Sequence, residues 1–292
     1  MKILWAFEPF HQDQIRIQGM HNLLKQLVDH PSDMEIGFVV TRSEQELYLE
    51  IKIPLKERFS VYPRQIIKSI LRKAKCTVED KKIHVLDFET VSNRKAVDCL
   101  LSLAKHRDTD LIALYTHARH GLMRLALGSF AETAVHRSKI SLLLMNPKTK
   151  SPSQIKQVLY SSDFSSASIS DLKRVIKLCK HLDAGLTIFH QAQVIYKWSL
   201  DEGNPKIHDY RRKVDRMQER IEQKCLSAGL STKVIVASEF SATTELILKT
   251  ATEVKADLIV VSAKVGPAAA LMGGSVTRKI IRESTKPVLV LK

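Results

Sequence analysis

The chain has 292 residues, 44% hydrophobic and 26% charged, with 10 glycines and 9 prolines. These fractions exclude collagen-like, disulfide-dense and largely disordered classes, and the length favours two domains over one. The formal net charge of +15 raises nucleic acid, nucleotides and anionic lipid as partners without choosing among them.

Strands are predicted at residues 2–7, 36–41, 83–86, 111–115 and 141–145, each a short apolar run. Residues 44–63 give no clean pattern. The apolar start at residues 3–7 meets Glu8 and Pro9 too early for a secretory leader. No apolar run nears the roughly 18 residues that cross a bilayer. Cys76, Cys99, Cys179 and Cys225 are widely spaced, without a CxxC pair or a metal-ligand cluster. A cytoplasmic protein is expected.

Residues 146–153, NPKTKSPS, place two prolines among polar residues between apolar strands, a natural boundary. Beyond it, strands are predicted at 157–161, 186–189, 233–237, 257–262 and 288–291. Helices are predicted between them at 168–182, 207–227, 243–254 and 275–282. In the first of these helices Ile169, Leu172, Val175, Ile176, Cys179 and Leu182 share one face, and in the second Val214, Met217, Ile221 and Cys225 do. Alternating strands and helices imply right-handed crossovers and parallel sheets.

The halves repeat one another. DLIALY at 110–115 leads to Gly128-Ser129, and DLIVVS at 257–262 leads to Gly274-Ser275, half a chain length further on. The expected fold is α/β: two tandem doubly wound units, residues 1–147 and 154–292. Each is a mainly parallel five-stranded sheet with helices on both faces.

In such a sheet a ligand sits beyond the carboxyl ends of the strands, where the strand order reverses. In the second half Ser161–Ser165, His190-Gln191, the loop 262–272 and Gly274-Ser275 converge there. Glycines let backbone approach a ligand, and a helix N-terminus attracts anions. An acidic residue at the first strand's end accepts from an adenine amino group or a ribose hydroxyl. This describes a mononucleotide pocket.

The segments VLYSSDFS (158–165), ADLIVVS (256–262), GSV (274–276) and KPVLV (286–290) resemble the universal stress protein family, as does TDLIALYTHARHGLMRLALGS at 109–129. The similarity covers nearly the whole chain as two copies. ATP-binding members carry G-x2-G-x9-G-[ST]. In the first half Tyr115 and Ala118 stand at the first two glycine positions, and Glu8 replaces the family's first-strand Asp. That half is expected to be a degenerate site, with the Tyr115 ring in the phosphate space.

The second half is better preserved. The resemblance implies that Asp163 and the Gln191 backbone hold adenine or ribose. Ser262, Gly266, Gly274, Ser275 and the amide of Val276 line the phosphates of ATP or AMP, with Lys264 in the same loop. It also implies that the halves pair through residues 140–145 and 288–291, with a homodimer and protein partners open. The function implied is regulated binding in the stress response. The alternative is a member without nucleotide, acting as an interaction scaffold or holding an apolar ligand.

Each feature also has a simpler structural meaning. Asp163 can cap the following helix, and Ser129-Phe-Ala-Glu132 matches a capping box. His117 and His120 lack a third ligand, so no metal is expected. No GxSxG, HExxH or Walker lysine motif is present, so no enzyme is expected. The charge divides almost equally between the halves. Its densest runs are the Lys68, Arg72, Lys75 face and residues 211–220, where Asp215, Glu219 and Glu222 can pair at helical spacing. Without interleaved aromatics, nucleic acid and membrane surfaces are not expected partners.

Overall fold

The computed structural model describes residues 1–8, 13–40, 61–87, 92–116, 129–192, 205–239, 241–262 and 274–292. The chain divides into two compact units. One is Met1–Ser153 with Ile281–Pro287 and Lys292; the other is Gln154–Ile280 with Val288–Leu291.

The first unit runs β1 (Ile3–Ala6), α1 (Gln14–Leu27), β2 (Met34–Val40), α2 (Val61–Lys73), β3 (Ile83–Asp87), α3 (Asn93–His106), β4 (Leu111–Tyr115), α4 (Ser129–Arg137) and β5 (Ser141–Met145). Its strands lie in the order β3-β2-β1-β4-β5, and the pairings are parallel. The chain steps outward from β1 to β3, then returns across β1 to β4 and β5. With right-handed crossovers that reversal sends α1 and α2 to one face and α3 and α4 to the other.

The second unit runs β6 (Gln157–Ser161), α5 (Ser166–Leu182), β7 (Gly185–Gln191), α6 (Pro205–Ser227), β8 (Thr232–Ala237), α7 (Thr243–Glu253), β9 (Leu258–Ser262), α8 (Gly274–Glu283) and β10 (Val288–Leu291). Its order, β10-β9-β6-β7-β8, is that of the first unit read in reverse, again with parallel pairs. The registers coincide: Ile3 faces Leu111 as Val158 faces Leu258. Trp5 therefore corresponds to Tyr160, and Tyr115 to Ser262.

Central strands covered on both faces are continuous apolar runs, and β4, β5 and β10 are buried at every residue. The edge strand β8 is half-exposed along most of its length. Helices turn a stripe inward. In α1 the buried residues are Ile17, Met20, His21, Leu23, Leu24 and Leu27. In α5 Leu172, Val175, Ile176, Cys179 and Leu182 are buried, while Ile169, expected on the same face, is only half-buried. Lys75 lies beyond the end of α2 at φ 55°, so it does not share the helical face of Lys68 and Arg72. Lys68 instead pairs with Asp80.

Two contacts fix the first unit locally. The segment after β5 folds back on α1, where Arg16 and Gln26 donate to the carbonyls of Pro147 and Ser153. A Cβ at Gly19 would stand 2.7 Å from Ser151 Oγ, so the close approach depends on glycine there. At the amino end of β2, Glu35 accepts two hydrogen bonds from Arg107, at 2.8 and 2.9 Å. It also accepts one from Lys82 at 2.9 Å and lies 2.6 Å from His84 Nε2. One carboxylate thus ties β2 to β3 and to the end of α3.

Candidate functional site

In the second unit β6 lies between β7 and β9, with Ser161 opposite both Phe189 and Val261. Strands in register and parallel end together. Ser162-Asp163, His190-Gln191 and Ser262 therefore emerge at one carboxyl end, and the strand order reverses between β6 and β9. Gly274 opens α8, which follows β9, and its first amides have no partner within the helix. Asp163 and Ser275 are exposed; Gln191, Ser262 and Val276 are half-buried. Gly266, with Lys264 and Val265, lies outside the described residues, as do Ala118, Gly128, His117 and His120 of the first unit.

The turn between β6 and α5 is built from short polar side chains. Asp163 Oδ1 accepts from the Ser165 amide at 3.0 Å, forming a turn one step ahead of the helix. The cap itself is Ser165, whose Oγ accepts from the Ser168 amide at 3.3 Å. Ser162 Oγ accepts from the Phe164 amide at 3.1 Å and donates to Ser168 Oγ at 3.0 Å. Ser168 Oγ donates in turn to the Ser165 carbonyl at 3.0 Å.

These bonds hold Phe164 at φ 57°, a left-handed conformation that costs a bulky residue about 1–2 kcal/mol. The strained backbone lays the Phe164 ring flat on His190, with centroids 3.9 Å apart and planes at 8°. His190 Nδ1 is 2.9 Å from the Ser162 carbonyl, which can only accept, so Nδ1 carries the proton. Burial pushes this imidazole below its ordinary value, against the Ser162 bond and the charge of Asp163. Burial thus disfavours protonation of the ring.

Gln191 spends its side chain on the scaffold. Its Nε2 donates to the Ser241 carbonyl at 3.0 Å, and its Oε1 accepts from Thr243 Oγ1. With both amide hydrogens and one oxygen lone pair turned to this scaffold, the Gln191 backbone is the group that the resemblance implies for a ligand. The Tyr160 hydroxyl donates to the Ser168 carbonyl at 2.7 Å and lies 2.8 Å from Ser262 Oγ. With the tyrosine proton used, the Ser262 hydroxyl is the donor in that second bond.

The sequence places Phe164 and His190 in the segments that converge at the strand ends but gives neither an individual role, and it reads Tyr160 only as part of β6. The available signal was a titratable residue directly after the apolar run of β7.

The first unit arranges the same crevice differently. Tyr115 ends β4 where Ser262 ends β9, and it is buried, with its hydroxyl donating to the Arg16 carbonyl at 2.8 Å. Burial raises this phenol far above its ordinary value. Arg16 and Ser168 are each the third residue of the helix after the unit's first strand. Both units thus tie that carbonyl to a tyrosine, one from the fourth strand and one from the first. A ring that starts on β4 and ends on α1 spans the crevice between β1 and β4. Trp5 of β1 is fully buried, edge-on to Phe7 with ring centroids 5.0 Å apart, and its indole Nε1 has no hydrogen-bond partner among the described residues. Tyr115→Phe should lower stability by about 1 kcal/mol, read by denaturant unfolding. An unchanged midpoint would show the tie to be incidental.

Among the described residues, no group of three or more His, Cys, Asp and Glu could hold a metal ion. None of the described helices is long and apolar enough to cross a membrane. A cleft of about 620 Å³ lies between Glu219, Glu222 and Leu226 of α6 and the start of β8, away from the carboxyl strand ends.

The strand order and the parallel pairings define a doubly wound α/β protein, built twice over. The chain belongs to the universal stress protein family, whose sequence model matches residues 67–146 and 154–292. A universal stress protein from Archaeoglobus fulgidus superimposes at TM-score 0.65 and 17% identity, covering 99% of this chain and 96% of that one. A candidate universal stress protein from Pseudomonas aeruginosa follows at 0.64 and 13%, covering 100% and 92%. A protein of unknown function from the same species reaches 0.59 and 15%, covering 100% and 92%. At such identities the likeness is one of fold. No curated protein matches the sequence.

Proposed function

We propose that the second unit binds an adenine nucleotide, ATP or AMP, and that the protein acts by regulated binding rather than turnover. The observation that carries this reading is the common exit of Asp163 and Ser262 on the two strands flanking the reversal, with α8 opening after β9. Asp163 accepts from the ribose or the base, and the α8 amides of Ser275 and Val276 meet phosphate without a required metal. The first unit, residues 1–147, is the degenerate copy, because the Tyr115 ring reaches across its crevice to the Arg16 carbonyl. Residues 154–292 form the competent one.

Equilibrium binding of labelled ATP to the wild type and to Asp163→Ala tests this. The variant should bind about tenfold more weakly, the loss of one charge-assisted hydrogen bond. Absence of saturable binding to the wild type would sink the reading, and equal affinity in the variant would remove Asp163 from it.

A second reading, a member without nucleotide that serves as a scaffold or holds an apolar ligand, is favoured by one observation. The Ser262 hydroxyl is already engaged with Tyr160, which removes one polar group from the phosphate side.

A further inference from the structure

The geometry points to His190 as the residue that selects a 6-aminopurine base, its Nε2 accepting a hydrogen bond from the exocyclic amino group. The inference rests on the second unit's being a nucleotide site, and it names the group that reads the base.

His190 is 7% exposed, and its ring is fixed on two sides. Phe164 covers one face, and the Ser162 carbonyl takes the Nδ1 proton. That bond sets the tautomer: in a neutral ring with Nδ1–H, Nε2 is a bare acceptor. Nε2 has no partner among the described residues, and it is not among the atoms sealed from the surface without one, unlike Trp5 Nε1 and His21 Nδ1. A mostly buried acceptor without a partner costs free energy unless something donates to it. The two fixed contacts, Ser162 and Phe164, flank Asp163 in the chain, and the carboxylate of Asp163 acts electrostatically on the ring. The acceptor therefore belongs to the strand-end cluster already described.

An imidazole lone pair lies in the ring plane, so its donor must approach edge-on. A planar base does so with its amino group, leaving Asp163 for the ribose. Guanine presents a carbonyl at the corresponding position, which sets two acceptors against each other. A protonated histidine would reverse the preference, and burial disfavours that form.

The test compares ATP with purine riboside triphosphate, which differs in having hydrogen in place of the 6-amino group, and with GTP. The wild-type full chain should bind ATP about tenfold more tightly than the 6-hydrogen analogue, and GTP more weakly than ATP. In His190→Phe, which keeps a flat ring on Phe164, and in His190→Asn, which keeps a donor for Ser162, that preference should vanish. The analogue's own affinity should stay as it is in the wild type. Equal wild-type affinity for ATP and the analogue overturns the assignment whatever the variants do, as does a preference retained in both variants. Failure of all three nucleotides to bind the wild type defeats the parent reading and this one with it. Binding without discrimination defeats this one alone.

Discussion

Glu35→Gln should destabilise the protein by about 2 kcal/mol at pH 7, and the difference from wild type should close as the pH is lowered towards 3. Burial by itself would raise the Glu35 carboxyl. The hydrogen bonds from Arg107, Lys82 and His84 outweigh it and hold the group at about 2, against an ordinary 4.5. A depressed carboxylate contributes stability above its unfolded value and loses it as the pH falls from there through the folded one. The window is therefore roughly pH 4.5 down to 2, which the glutamine variant does not share. The Glu35 side chain is 13% exposed, whereas that of Arg107 is 35% exposed, so water screens part of the pair and the effect falls below the roughly 3–5 kcal/mol of fully buried broken pairs. Denaturant unfolding of both proteins at pH 7 and pH 3 reads the effect. A difference that does not change with pH would mean that the variant disturbs packing rather than charge.

Gly37→Val should cost about 3 kcal/mol, the upper end for overpacking a close-fitted core. Gly37 lies within β2, and a Cβ there would stand 3.0 Å from Leu100 Cδ1, 3.3 Å from Leu4 Cδ1 and 3.4 Å from Leu103 Cδ2. The leucines of α3 thus rest directly on the β2 backbone. Leu100 is buried, so Leu100→Ala alone should also destabilise, by about 2–5 kcal/mol, through the cavity it leaves. Together the two changes should cost clearly less than the sum of the single effects, because the valine enters the vacated space. Additive losses in a double-mutant cycle would show that Leu100 is not what the new side chain meets.

What could be read in the sequence depended on what each residue's neighbours were. Strands β4, β5, β6 and β10 were delimited to the residue, because covered strands are apolar runs bounded by polar turns. Strand β7 was expected to stop at Phe189 but continues to Gln191, since His190 and Gln191 stay in register with Val236 and Ala237. Backbone pairing carries no side-chain signature. Strand β2 was expected from Ile36 but begins at Met34, because Glu35 looks like a loop residue until its cations are in place.

The crevice follows the same division. Asp163 and Gly274-Ser275 were visible as a motif. The tautomer of His190 depends on a carbonyl 28 residues away, and the role of Gln191's side chain on residues about 50 away. The overall positive charge told less, since Lys68, Arg107, Arg137 and Arg212 are each engaged by an acidic residue.

The tyrosine ties bear on how the two copies diverged. Trp5 and Tyr115 in one unit stand where Tyr160 and Ser262 stand in the other, so the difference is a paired exchange across neighbouring strands. Trimming Tyr115 alone would leave the first helix without its tie and the indole still in place. Restoring room there takes Trp5→Tyr and Tyr115→Ser together, a step that single substitutions reach only through a less stable intermediate. On the reading proposed above, the first copy is in that sense locked by its own history.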